Sequence, residues 1–299
     1  MNGTASVQDG PILFGFDGSE GAANAIARGG ELLEKRPALV VHAWSGLSEL
    51  LRSEDVDVAD RERARNLAAE GAQLAVAAGF EAQPLVRHQR GNAWGTLREC
   101  AAEHRASAVV VGTRGRSRLS SVLLGSVSRG LVHHPPAPVL VVPQAAARGA
   151  PGPLVLASDG SDTAKRAIEQ AACLLSARRA VVIHVWNPSA ARMPAYTPVA
   201  GAALGVAREI DEIIDEEVHG LAHEAVSLAS DRGLDAEECC LRTEQPLWRG
   251  ILDVADDRDA AAIVVGSRGL TGVSAALGSV SHGVVHHSRG PVLLVPPAE

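Results

Sequence analysis

The sequence predicts two tandem α/β domains, each an open five-stranded parallel sheet with helices on both faces. Three observations carry that expectation: an internal repeat over nearly the whole chain, short apolar runs that do not alternate, and helix-period segments between those runs. Short continuous apolar runs suit parallel strands covered on both faces. Strands alternating with helices imply right-handed crossovers.

The repeat fixes the organisation. Gly125 to Pro143 reads GSVSRGLVHHPPAPVLVVP and Gly278 to Pro296 reads GSVSHGVVHHSRGPVLLVP, identical at 13 of 19 positions. Upstream, FGFDGSE from Phe14 returns as LASDGSD from Leu156, and VVHAW from Val40 as VIHVW from Val182. VVVGTRG from Val109 returns as IVVGSRG from Ile263. The offset is 142 at Asp17 and Asp159 but 154 at Gly112 and Gly266, so the second copy carries 12 extra residues. The Pro/Ala/Gly-rich stretch Asn187 to Gly205 is their expected home. At Gly125 and Gly278 the offset is 153, a loss of one residue within the glycine loop. Gln144 to Gly152 reads as a linker, giving domains over residues 1–146 and 152–299.

In the first copy, strands are expected at Ile12 to Phe16, Ala38 to Ala43, Ala108 to Val111 and Val139 to Val142, with a weaker one at Glu81 to Val86. Helices are expected at Glu20 to Lys35, Asp60 to Ala78 and Trp94 to Arg105. The second copy repeats the order, with strands near Leu154, Val181, Glu237, Ala262 and Val292. Each last strand follows a proline, Pro138 or Pro291, and is strongly apolar. An open apolar edge invites aggregation, so the two last strands should pair with each other or with a second chain.

Composition narrows the function classes. The chain has 299 residues, 46% of them hydrophobic and 21% charged, as in a globular protein. A net charge of -7 argues against a general nucleic-acid binder, which needs a basic face. The first ten residues are polar, so no secretory leader is expected. No apolar run approaches the ~20 residues that span a bilayer. Cys100, Cys173, Cys239 and Cys240 do not recur between the copies and form no CxxC pair, which fits a reducing cytoplasm. Cys239 and Cys240 read as strand residues.

The chemistry-bearing motif follows the fourth strand: Gly112-Thr-Arg114-Gly115, then nine residues, then Gly125-Ser126. Glycines let backbone N–H groups approach an anion, and the helix opening at Ser126 adds unpaired N–H groups and a favourable dipole. Ser126 and Ser128 offer hydroxyls, with Val127 between them. Asp17-Gly18-Ser19 ends the first strand at the same carboxyl edge, where open α/β sheets bind ligands. A carboxylate there suits ribose hydroxyls or a metal-bridged phosphate. Asp and Ser equally suit a helix N-cap, and the two roles are compatible. Backbone groups around Ala43, closing the second strand, suit an adenine edge.

On these residues the chain resembles a tandem universal stress protein. The family's ATP-binding members carry G-x2-G-x9-G-[S/T], matched by Gly112, Gly115, Gly125 and Ser126. They also carry an aspartate ending the first strand, matched by Asp17, and a backbone adenine contact, matched by Ala43. The resemblance implies an adenine-nucleotide α-hydrolase-like, Rossmann-like fold that pairs through its last strand. It also implies ATP as cofactor, with Mg2+ as a companion, and a role in stress-response regulation. By that similarity Gly112 and Gly115 face ribose and phosphates, and Ser126 and Val127 hold the phosphate tail.

The second copy retains Asp159, Gly160, Ser161, Val185, Gly266, Arg268, Gly269, Gly278, Ser279, Val280 and Ser281, so a second site is expected. Only eight residues separate Gly269 from Gly278, which shortens its loop. A P-loop NTPase is excluded, because the two lysines, Lys35 and Lys165, follow no G-x4-G. A Rossmann dehydrogenase would place its glycines after the first strand. The pairs His133-His134 and His286-His287 point about 100° apart on a helix and read as helix-end residues rather than metal ligands. Trp44, Trp94, Trp186 and Trp248 read as packing anchors, with Trp44 and Trp186 also placed to flank a base. Arg114, Arg116 and Arg118 suit phosphate screening or a solvated loop. No second repeated acid or base accompanies Asp17, so the expectation is binding without catalysis. A nucleotide-free interaction module and a slow ATPase are the alternatives.

Overall fold

The computed structural model describes residues 10–45, 54–89, 91–113, 124–144, 146, 152–188, 200–269 and 277–298. The first half runs β1 (Ile12–Gly15), α1 (Glu20–Leu32), β2 (Pro37–Trp44), α2 (Glu54–Ala77), β3 (Glu81–His88), α3 (Ala93–Glu103), β4 (Ala108–Gly112), α4 (Ser126–His133) and β5 (Val139–Val142). The second runs β6 (Leu154–Ala157), α5 (Asp162–Leu174), β7 (Arg179–Trp186), α6 (Ala200–Asp231), β8 (Asp235–Arg242), α7 (Leu247–Asp257), β9 (Ala262–Gly266), α8 (Ser279–His287) and β10 (Val292–Val295).

The halves form one ten-stranded sheet in the order β3-β2-β1-β4-β5-β10-β9-β6-β7-β8. Strands are parallel within each half and antiparallel at the join, where Val292 faces Val141, Leu293 faces Leu140 and Leu294 faces Val139. The expected pairing of the last strands thus occurs inside the chain. With β4 and β9 on their other sides, β5 and β10 keep no edge for a second copy. The alternative, pairing of these strands with a second copy, is not the arrangement within this chain. A second link joins the halves where the chain leaves α1 and α5. Leu33 bridges Leu175, Glu34 N–H donates to Leu174 O at 2.8 Å and Ser176 N–H to Leu32 O at 2.8 Å.

Alternation along the strands divides the core into two layers that run across both halves. Ile12, Phe14, Leu140, Leu154 and Leu293 pack with α1, α2, α5 and α6 on one face. Leu13, Val109, Val141, Val265 and Leu294 pack with α3, α4, α7 and α8 on the other. Covering both faces explains the continuous apolar strand sequences. The outer strands β3 and β8 are only half-buried, which explains the weak signal at Glu81 to Val86.

The stretch Asn187 to Gly205, the expected home of the extra residues, runs into a helix. Helix α6 has 32 residues against 24 in α2, so eight of the 12 lengthen the helix, which begins at Ala200.

Candidate functional site

The order β2-β1-β4 makes the carboxyl ends of β1 and β4 a switch point: the chain leaves them toward opposite sides of the sheet. After β1, Ser19 N–H donates to Asp17 Oδ1 at 3.0 Å, and Ala22 N–H to Ser19 Oγ at 3.2 Å. Ser19 is thus the N-cap of α1, worth about 1 kcal/mol. Gly18 sits at φ +79, a left-handed conformation costly for other residues, so its glycine serves the turn. His42 Nδ1 lies 2.8 Å from Phe16 O and ties the ends of β1 and β2 together.

After β4, Thr113 N–H donates to Val142 O at 2.9 Å and Gly125 N–H donates to Thr113 O at 2.7 Å. The glycine loop therefore leaves and returns at one point. Gly125 caps α4 without a side-chain hydrogen bond, leaving the first-turn amides of Ser126 and Val127 for an anion. Ser126 is exposed, whereas Ser128 is buried and its hydroxyl lies 3.2 Å from Thr113 O and 3.1 Å from Gly125 O. That hydroxyl fastens the loop, and the residue also lines the adjoining cavity. Arg114 and Gly115, like Arg116 and Arg118, lie outside the described residues.

Between the two strand ends lies a cavity of about 280 Å³, close to the lower bound of roughly 300 Å³ for small-molecule sites. Its polar lining is Asp17, Gly112, Thr113, Gly125, Ser126 and Ser128; its apolar lining includes Gly15, Phe16, Val41, Ala43, Leu97, Val111 and Val127. Ala22 and Ala93 complete it. Among the described residues, Asp17 is the one ionisable side chain in that lining. The sequence did not single out Ala93 and Leu97. They stand four residues apart on one face of α3, behind the weakest strand.

The second half repeats the scaffold. Ser161 N–H donates to Asp159 Oδ1 at 3.0 Å, Ala164 N–H to Ser161 Oγ at 3.2 Å, and Gly160 has φ +78. Gly278 N–H donates to Ser267 O at 2.8 Å and Ser281 Oγ to Gly266 O at 2.6 Å, so the shortened loop closes at the same anchor. Helix α8, opening at Ser279 and Val280, likewise has no side-chain cap at Gly278. Arg268 follows the anchor residue Ser267. A β-carbon on Gly269 would lie 2.5 Å from Asp159 Oδ2, so the acid rests against the loop.

The walls differ. Gly15, Gly21, Ala43 and Ala93 of the first half correspond to Ala157, Thr163, Val185 and Leu247. These four changes add bulk, whereas Ser158 and Ser267 are smaller than the Phe16 and Thr113 that line the first cavity. Ala157 and Val185 pack with Ile251 and Val265, and a β-carbon on Gly266 would lie 2.8 Å from Thr163 Cγ2. Ser158 replaces Phe16, and the buried Nδ1 of His184 has no hydrogen-bond partner among the described residues. Burial pushes the His184 imidazole below its usual value, against the opposing pull of Asp159 and Glu217.

Both halves match the model of the Universal stress protein family, over residues 10–143 and 152–296. The chain belongs to the universal stress protein family. A universal stress protein of Mycobacterium tuberculosis is 32% identical over 192 residues, covering 62% of this chain and 57% of that protein. The alignment thus spans less than two thirds of that relative's length. One from Bacillus subtilis is 30% identical over 145 residues, 48% of this chain and 97% of that protein. The crystal structure of a universal stress protein from Archaeoglobus fulgidus shares the fold, with a TM-score of 0.65 at 23% identity over 97% of this chain and 100% of that one.

Within this universal stress scaffold the tryptophans and histidines pack. A β-carbon on Gly130 would lie 2.2 Å from Trp94 Cγ, and one on Gly283 2.3 Å from Trp248 Cγ, so each glycine admits an indole between helices. His134 stacks on Trp94 and His287 on Trp248, at centroid distances of 5.2 and 4.5 Å. Trp44 turns to His88 and is not in the cavity lining, and Trp186 turns to Arg242. Among the described residues, no helix is long and apolar enough to cross a membrane.

Proposed function

We propose that this universal stress protein binds ATP in its first half and acts as a nucleotide-responsive regulator in the cytoplasm. The observation that carries the reading is a cavity at the switch point, lined by Asp17 and opening onto the uncapped first turn of α4. Adenine and ribose fit the part walled by Gly15, Ala43, Ala93 and Leu97; the phosphates then meet the amides of Ser126 and Val127. Asp17 suits a ribose hydroxyl or a Mg2+ ion on the triphosphate. Hydrolysis needs a positioned water and a base, and among the described residues the cavity lining offers Asp17 alone. Binding without turnover is therefore favoured over a slow ATPase. The second half keeps the loop and the acid, but Val185 and Leu247 crowd the positions of Ala43 and Ala93 while Ser158 gives up the Phe16 wall, so its base wall has another shape and ATP binds there more weakly.

Mass spectrometry of protein denatured after purification tests this. Co-released ATP near one equivalent per chain supports it. ADP alone points to a slow ATPase. A chain without nucleotide, which also fails to take up ATP in calorimetry, points to an interaction module.

A further inference from the structure

On the second half, far along the sheet from the cavity, three side chains of metal-ligating type meet, with two more on the same helix face. Asp215, His219 and His223 recur every four residues along α6 and share one face. Glu238 and Cys240 sit two apart on β8, the outermost strand, and share one side of the sheet. His219 Nδ1 lies 2.5 Å from Glu238 Oε1, and the Cys240 thiol donates to the same oxygen at 3.4 Å. On the ring's other side, His219 Nε2 lies 3.9 Å from Asp215 Oδ2. The donor atoms of His219, Glu238 and Cys240 all lie within 4.8 Å of one another.

We propose that His219, Glu238 and Cys240 form a binding site for a divalent transition-metal ion of the Zn2+ type, bridging α6 and β8. Thiolate, imidazole and carboxylate together suit Zn2+ and disfavour Mg2+ or Ca2+, which take oxygen. Metal–ligand bonds of about 2.0–2.3 Å place tetrahedral donors roughly 3.3–3.8 Å apart. From the present spacing that requires shifts on the order of 1 Å, with Glu238 moving away from the imidazole and Cys240 closing in. His219 ligates through Nδ1, while Asp215 at Nε2 takes the orienting role that carboxylates play behind metal-bound histidines. Water or His223 completes the shell at this open surface, and the ion displaces the thiol proton to solvent.

The first half lacks the set. The positions of Asp215, His219, Glu238 and Cys240 are there held by Arg61, Arg65, Pro84 and Val86. The donors thus accompany the half whose helix is eight residues longer, and the ion would clasp that helix to an edge strand that is otherwise open.

The test uses the full chain, stripped with a chelator under a reductant that does not bind metal, and titrated with Co2+ and then Zn2+. The expected result is thiolate-to-cobalt charge-transfer absorption that saturates at one ion per chain and is displaced by Zn2+. Cys240→Ser should abolish the band. His219→Gln should weaken Zn2+ binding at least tenfold. Cys239→Ser and His282→Ala should leave both readouts unchanged, and Zn2+ should raise the melting temperature of the parent but not of Cys240→Ser. Circular dichroism confirms that each variant is folded. Absence of a sulfur band, its persistence in Cys240→Ser, or its loss in Cys239→Ser would each overturn the site.

Discussion

Transplanting the second half's wall into the first is the sharpest test of the nucleotide reading. The double variant Ala43→Val, Ala93→Leu installs the residues found at Val185 and Leu247. It adds five carbon atoms to a cavity of about 280 Å³. Taking roughly 30 Å³ for each, the share of one small molecule in a liquid, the additions claim on the order of 150 Å³. That is about half the space. One surplus methylene group in a fitted pocket discriminates by about 1–3 kcal/mol, so ATP affinity should fall at least 100-fold in calorimetry. The fold should not suffer, because filling a cavity commonly adds about 0.5–2 kcal/mol. The signature is therefore a nucleotide-free protein that melts at the same temperature or higher, yet no longer gains stability from added ATP. A misfolded variant would not show that combination. Unchanged ATP affinity in a folded double variant would refute the placement of the base between β2 and α3.

Three further outcomes follow from the geometry. Gly130→Ala forces a β-carbon into Trp94 and should cost about 1–3 kcal/mol by overpacking, measured by urea denaturation. Leu140→Ala and Leu293→Ala, which remove facing, fully buried side chains at the β5–β10 join, should cost about 2–5 kcal/mol each; a double-mutant cycle should show them coupled, and strict additivity would mean that the join contributes little. Burial pushes the His133, His184 and His286 imidazoles below their usual value, His286 to about 4. The unfolded chain then binds more protons below about pH 6.5, so stability falls as pH drops from there toward 4; His286→Gln should flatten that decline in a series of melting curves.

Much of this was legible because it rests on local pattern. The duplication, the alternation of strands and helices and the glycine loop at a strand's carboxyl end are all written in contiguous residues. Pairing of the last strands followed from their apolar edges alone. What escaped depends on distant elements meeting. Ala93 and Leu97 carry no signal of their own; only the crossover that lays α3 over β1 and β2 makes them a wall. The hydrogen bonds of Ser128 to Thr113 and Gly125 follow from the loop closure between those residues, which spacing does not reveal. The bridge at Leu33 and Leu175 joins segments too short to read as strands. Cys240 read correctly as a strand residue, but its neighbour His219 stands 21 positions earlier on a helix with no shared periodicity. Arg116 and Arg118 lie where the structure is not described.

The antiparallel seam between β5 and β10 has an evolutionary corollary. Two separate identical subunits must share every substitution, so a wall that swells in one swells in both. Fused into one polypeptide, the halves drift independently, while tethering keeps their mutual concentration near the millimolar range or above. One half is then at liberty to surrender its ligand and become a permanent buttress, or to acquire another chemistry on its outer flank, without dissolving the partnership that shields its sibling's bare strand.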